Sequence, residues 1–315
     1  MSIEALLSRA DGTDHEIPAE RLHAAVAEDE LLWIDVVDAS PSDVDTLHEA
    51  LQLRDDVVAA LRNERPALGA RVLEAAVEAV VIALDEGQTP VRLQVIVGDQ
   101  FVITRHDGRL AFLDDHRARI QDQREVGRLS PAEFLSEVLN WQLDTFFTAA
   151  DALEGEIDRL DEAALRSDRD LLGRLVRMRG RIARLRRVLT PQRDVYAELA
   201  RPDFLPERHG TAAAEVATLL ERHQRALEAC TNAREMLIGT FDVHMTRTAQ
   251  RTNDVMRVLT LASVVLLPAV VVAGVMGMNF KVAFFENPDS FWIVVGLMVV
   301  LAVSTIVVAR WRRWL

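Results

Sequence analysis

The stretch that decides the fold runs from Asn253 to Asn279 and reads "NDVMRVLTLASVVLLPAVVVAGVMGMN". It opens with an amide and two charges, passes from Val258 to Met276 without a charge, and closes on Gly277-Met278-Asn279. Those 19 uncharged residues match the roughly 20 that a helix needs to cross a hydrocarbon core about 30 Å thick. A second run of 19, Phe291 to Ala309 ("FWIVVGLMVVLAVSTIVVA"), begins after an interval of 14 residues. A buried helix of a soluble core is the competing reading for either run alone. Two such runs so close together point to a pair of membrane spans.

The rest of the composition agrees. Half of the 315 residues are hydrophobic, yet the mean hydropathy is only +0.07, so the apolar residues are concentrated rather than spread. The length has room for two or three domains. The N-terminal "MSIEALLSRADGTDHEIP" is charged and has no apolar h-region, so no signal peptide is expected. A single cysteine, Cys230, excludes an internal disulfide and a thiolate-rich zinc site. Arg247, Arg251 and Arg257 precede the first run, and Arg310, Arg312 and Arg313 follow the second. The connecting segment holds only Lys281, beside Glu286 and Asp289. Basic residues favour the cytoplasmic side, so both termini are expected inside a plasma (inner) membrane crossed twice. Trp292, Trp311 and Trp314 suit its two interfaces. The net charge of −13 argues against nucleic acid as a partner and is compatible with cations.

Upstream, residues 1–127 read as an α/β domain. "LLWIDVV" (Leu31–Val37) is a short apolar run, and "PSDVDTLHEALQL" follows it as an amphipathic helix. Val91–Val97 and Gln100–Thr104 flank Gly98-Asp99, a hairpin signal. The order of the strands does not follow from these patterns. Residues 128–256 change to long helices. Ser130-Pro131-Ala132-Glu133 matches a capping box with proline at the first helical position. After a break at Arg166–Asp170 comes an arginine-rich helix, "LLGRLVRMRGRIARLRRVL", expected to face the Asp and Glu of the helix before it rather than nucleic acid. From Thr211 to Gly277 only Pro268 interrupts a helical pattern. Such a helix is roughly 100 Å long at 1.5 Å per residue. It cannot stand alone in water, so association with other subunits is implied.

Residues 257–315 form the membrane part: a first span at 257–277, an outer loop at 278–290 and a second span at 291–310. Along the first span, Asn253, Met256, Leu259, Ser263, Leu267, Val270 and Gly274 recur at three- and four-residue steps and share one helical face. Gly274 and Gly277 allow backbones to approach, and Pro268 removes one hydrogen bond within the span and should bend it. Two spans cannot enclose a path, but a ring of subunits each contributing this helix can.

With "NDVMRVLT…LLPAVVVAGVMGMNF", a short loop, a second span and the ending "RWRRWL", the chain resembles the CorA family of divalent metal-ion transporters. The similarity is strong from Asp242 to Leu315 and weaker upstream, where "FVITRHDG" (Phe101–Gly108) fits. The resemblance implies a funnel-shaped homopentameric channel: an α+β cytoplasmic domain, long helices, and two C-terminal transmembrane helices, the first lining a central pore. It implies that Gly277, Met278 and Asn279 form the outer selectivity site. There, neutral amide oxygens would grip a magnesium ion through its water shell. It further implies that Asn253 forms a polar ring, Met256 and Leu259 a hydrophobic constriction, and Asp242 an acidic ring below. The competing readings are simple packing for Met256 and Leu259 and a solvated charge for Asp242, with the pore role favoured. Mg2+ is then both cargo and regulatory ion, with no organic cofactor, and the partners are other copies of the chain, the bilayer and divalent cations. No regulatory residues can be assigned.

Three residues depart from the family pattern: Met276 where an aromatic is frequent, Val270 where a hydroxyl is frequent, and Lys281, the only lysine, after the motif. They leave open a zinc transporter of the same family, proton-coupled or not. Cobalt and nickel are further candidate cargoes. A reading of another class is a membrane-anchored interaction protein that transports nothing. No GxxxxGK[ST], HExxH or nucleophile motif is present, so no enzyme is expected, and His223 and His244 are read as packed or exposed rather than catalytic.

Overall fold

Period-two alternation organises the N-terminal region. In β3 (Glu30–Val37), Leu32, Ile34 and Val36 enter one apolar cluster, while Leu31, Trp33 and Asp35 are buried on the opposite face. This is a computed structural model describing residues 3–9, 14–17, 30–122, 130–166, 170–201, 204, 212–278 and 289–311. Strands β1 (Ile3–Arg9), β2 (Asp14–Ile17), β3, β4 (Gly69–Val72), β5 (Val77–Leu84), β6 (Pro90–Val97) and β7 (Phe101–His106) build one sheet in the order β2-β1-β3-β7-β6-β5-β4. Every neighbouring pair is antiparallel except β3 and β7, which run parallel. The expected hairpin at Gly98-Asp99 joins β6 to β7, where the Gly98 N–H donates to the Phe101 carbonyl at 2.9 Å.

Two helices cover one face. α1 (Pro41–Leu51) starts at Ser40, whose hydroxyl accepts from the Asp43 N–H while the Asp43 carboxylate accepts from the Ser40 N–H, a capping box. α2 (Asp55–Arg62) carries Asp55 and Asp56 in its first turn, where the helix dipole favours them. Val44, Leu47, Val57, Val58 and Leu61 of this pair pack with Leu32, Ile34, Ile96 and Ile103 of the sheet.

On the other face lie residues of α3 (Ala111–Asp122) and α4 (Pro131–Arg166). The Phe134 ring sits 5.2 Å from Trp33, and Ser130 and Glu133 close the expected capping box. α5 (Leu171–Leu189), a short 3-10 turn (Thr190–Gln192) and α6 (Arg193–Leu199) follow. Because β4 pairs only with Val77–Val80, the end of β5 lacks a strand on that side. Side chains replace it. The Ile82 N–H donates to Gln192 Oε1 at 2.9 Å, Gln142 Nε2 donates to the Ile82 carbonyl, and the Leu84 N–H donates to Thr145 Oγ1 at 3.1 Å. Tyr196 donates to Gln142 in turn, and Gln142, Gln192 and Tyr196 are all fully buried.

Asp35 anchors a second buried network. It accepts from Thr104 Oγ1 at 2.5 Å and from Arg117 at 3.0 Å, and lies 3.2 Å from His106 Nε2. Burial, the largest single influence on His106, favours its neutral form. The hydrogen bond and charge of Asp35, with the Gly108 carbonyl and Asp114, together outweigh it, so the His106 pKa stands above its ordinary value.

The chain divides into two compact units, residues 1–163 with 168–240, and residues 164–167 with 241–315. α7 (Ala212–Met276) contributes to both and is one 65-residue helix that runs through Pro268 without interruption. Val216, Leu219, Ala226, Cys230, Ala233 and Leu237 bury its first part. His223 is packed, as expected, with Nε2 2.9 Å from the Leu189 carbonyl and its ring 5.1 Å from Tyr196. The arginine-rich α5 meets its expectation only in part. Arg181 pairs with Glu156 of α4 and Arg177 with Asp170, but Arg179, Arg186 and Arg187 find no acid among the described residues. The reason is geometric: α5 buries Leu171, Leu175, Met178, Ile182, Leu185 and Leu189, which turns those three arginines away from the core.

In the second unit, the rest of α7 and α8 (Asp289–Trp311) are long and apolar enough to cross a membrane, and no residue of their most apolar stretches is fully buried within the chain. Trp292 and Trp311, near the two ends of α8, are largely exposed, as interface anchors would be.

Candidate functional site

Within a helix of 100° per residue, burial reveals which side of α7 a single chain uses. Leu261, Val265, Pro268, Ala269, Val272 and Met276 are half-buried, and they share an arc of about 100°. α8 has a matching one-sided pattern, with Ser290, Val294, Val295, Met298, Leu301, Ala302, Thr305 and Ala309 sheltered. The stripe singled out from the sequence lies elsewhere. Asn253, Met256, Leu259, Ser263, Leu267, Val270 and Gly274 are all exposed and, with Asp242, fall in an arc of about 120° centred opposite the sheltered one. Met256 is 55% exposed, Leu259 60% and Leu267 65%. Packing inside the chain therefore does not account for Met256 and Leu259.

The chemistry along this stripe is graded. Asp242 and Asn253, at its N-terminal end, make no side-chain hydrogen bond or ion pair among the described residues, so their oxygens are open to solvent or to an ion. Met256 and Leu259 follow as a purely apolar ledge. Ser263 turns its hydroxyl onto its own helix, donating to the Leu259 carbonyl at 2.9 Å. Its remaining lone pairs stay available, so it offers an acceptor and not a donor. Thr248, Thr252 and Thr260 bond back to their own helix in the same way.

At the C-terminal end the Gly277 N–H donates to Ala273 at 2.9 Å and the Met278 N–H to Val275 at 3.2 Å, so the last turn tightens as the helix stops. A side-chain carbon on Gly274 would meet nothing within 4 Å, and one on Gly277 only the carbonyls of Ala273 and Gly274 at ordinary contact distance. Nothing inside one chain requires glycine at either position. Asn279, Lys281 and Glu286 lie outside the described residues, as do Arg312, Arg313 and Trp314. Among the described residues, no group of three or more His, Cys, Asp and Glu is placed to hold a metal ion.

One feature escaped the sequence reading. Arg234 of α7 joins Arg179, Arg186 and Arg187 of α5 around a cleft, and the only sequence signal for it was the absence of acids within α5.

Comparison with known proteins completes the picture. Residues 28–310 match the family model described as "CorA-like Mg2+ transporter protein". The cobalt/magnesium transport protein CorA of Thermotoga maritima is 26% identical over 209 residues, which cover 64% of this chain and 58% of that protein, less than two thirds of its length. The zinc transport protein ZntB of Yersinia enterocolitica is 24% identical over 228 residues, covering 71% of this chain and 68% of that one. The solved CorA magnesium transporter of Methanocaldococcus jannaschii has the same fold, with a TM-score of 0.80 at 19% identity over 100% of this chain and 99% of that one. An N-terminal α+β region, a long helix and two apolar C-terminal helices are thus the shared architecture. With the family match running almost end to end, this chain belongs to the CorA-like Mg2+ transporter family.

Proposed function

We propose that the protein is a divalent-cation channel: a homopentamer in the plasma membrane, both termini cytoplasmic, that admits magnesium and, beside it, cobalt and nickel. The observation that carries this reading is the bare stripe of α7, graded from carboxylate and amide through apolar to small residues, on the side that α7 leaves open within one chain. Five such helices around an axis would hide that stripe from lipid and line a path with it. Gly274 and Gly277, which the single chain does not need, would let those helices approach closely.

Magnesium holds six waters in a tight octahedron and releases them reluctantly. A ring of five Asn279 carboxamides, with the carbonyls of Gly277 and Met278, offers acceptors to the protons of those waters. The ion is selected without being stripped and leaves readily, as conduction requires. Past the mouth it meets the stripe's aliphatic stretch. The ring of Met256 and Leu259 would close by dewetting, and Asn253 and Asp242 would receive the ion below it. Entry is downhill: each elementary charge gains about 2.3 kcal/mol per 100 mV, and a divalent ion about twice that. A regulatory magnesium ion bound between cytoplasmic domains belongs to the same proposal, with no residues assigned to it.

Zinc is the second reading, favoured by the likeness to a zinc transport protein and by Lys281, whose charge near the mouth departs from a simple magnesium entrance. Flux into vesicles containing the purified full-length protein separates the readings, using Mg2+, Co2+, Ni2+ and Zn2+ with and without a pH gradient. The expected result is potential-driven magnesium entry, reduced at least about tenfold by Asn279→Ala. Zinc entry that rises with the proton gradient would favour the second reading. Equal flux in the variant sinks the selectivity site, and no flux of any metal leaves a tethered interaction protein.

A further inference from the structure

We propose that the cleft between α5 and α7 binds a phosphorylated organic anion of the nucleoside polyphosphate class. This inference concerns the first compact unit alone and does not depend on the transport reading.

The cleft has a volume of about 620 Å3, within the range typical of small-molecule sites. Arg179, Arg186 and Arg187 rise from one side of α5 and Arg234 faces them from α7, all four exposed to solvent. None has an ion pair or a side-chain hydrogen bond among the described residues. The sequence explains why. α5 contains no Asp or Glu, and the residues three and four positions from Arg234 are Cys230, Thr231, Leu237 and Ile238. In a chain with 49 acidic and 36 basic residues, a solvated basic surface would ordinarily be laced with acids at helical spacing. Here four arginines line one cleft with no acid among the other residues that line it. Arg186 also acts on Cys230, where it opposes the rise of the thiol pKa, to about 11, that burial causes. Its charge is therefore felt at the seam between the two helices.

Guanidinium groups present planar, forked donors that match phosphate oxygens, and four of them exceed what a single phosphate needs. The floor is different in kind. Ile182 and Leu237 are buried beneath the arginines, and Ala183 and Pro191 complete an apolar lining. A basic rim over an apolar floor fits a ligand with several negative oxygens and a flat organic body. Inorganic phosphate would use the rim alone.

The test uses the purified full-length protein in detergent and adenosine triphosphate as probe, with binding followed by equilibrium dialysis. Inorganic phosphate and phosphatidylglycerol vesicles serve as parallel arms. The expected result is saturable binding of the nucleotide, tighter than that of inorganic phosphate and weakened by added salt. The double variant Arg186→Gln/Arg234→Gln should weaken it at least about tenfold. Arg177→Gln/Arg181→Gln removes the same charge from α5 outside the cleft and should leave binding within about twofold. Because the substituted cleft arginines are exposed, an unchanged thermal transition is expected for that variant. The proposal is overturned by absence of saturable nucleotide binding, by equal loss in the two double variants, or by binding to anionic vesicles alone. A loss of oligomer mass in Arg186→Gln/Arg234→Gln would overturn it too, since the arginines would then be facing acids of another copy.

Discussion

The two compact units satisfy their residues in opposite ways. In the α/β unit Asp35, Glu78, Gln94, Thr104 and Arg105 are buried and hydrogen-bonded, and apolar side chains from β3, β6 and β7 close against α1 and α2 within the same chain. In the unit containing the end of α7 and α8, apolar residues such as Leu267, Val270, Ile293 and Val300 have more than half their surface bare. Apolar surface costs roughly 25 cal/mol per Å2 in water, so the second unit is built for surroundings that a single chain does not contain. What one chain completes speaks of its own folding. What it leaves open speaks of lipid and, in the proposed channel, of other copies.

The contrast can be broken most sharply at Gly274. The first side-chain carbon of Gly274→Leu meets nothing within 4 Å inside the chain, so helix content should stay unchanged while the mass of the proposed oligomer and its metal flux fall, the flux at least about tenfold. Unchanged flux would show that the bare face is not an interface. On the other side of the comparison, Phe134→Ala opens a hole beside Trp33 and should cost about 3–5 kcal/mol, seen as a lower midpoint in the melting of the α/β unit. Gln142→Leu leaves the Ile82 carbonyl and the Tyr196 hydroxyl without that partner and should cost about 1–3 kcal/mol by the same measurement. The smallest effect is expected at His106. Its folded pKa lies above the ordinary value of 6.5, so its contribution to stability is complete below that pH and disappears as pH rises through the raised value. His106→Gln should flatten the pH dependence of melting in that window, and an unaltered profile would show that the Asp35 pairing does not govern it.

Local grammar was legible; long-range partnership was not. The Ser130 capping box, the Gly98-Asp99 hairpin and the extent of α7 each rest on residues a few positions apart, and each appears where its pattern places it, α7 continuing through Pro268. The stripe on α7 was readable for the same reason, since helical spacing alone sets which residues share a side. The parallel pairing of β3 with β7 joins Leu32 to Phe101 across most of the domain, and no local signal announces it. Nor could the closing of β5 by Gln142, Thr145 and Gln192 be foreseen, because a glutamine in a helix reads as surface until its distant acceptor is known. The arginines of α5 show the limit from the other direction. Their spacing was visible, but whether acids of α4 would reach them depended on which side of α5 faced the core.

That closing of β5 has a consequence for how copies of the chain can meet. A naked strand edge invites an incoming strand and then further ones, the route to open-ended aggregates. With Ile82 and Leu84 already bonded to helix side chains, that length of backbone offers a stranger no ladder to climb. At that rim, growth by strand addition is blocked once the chain has folded.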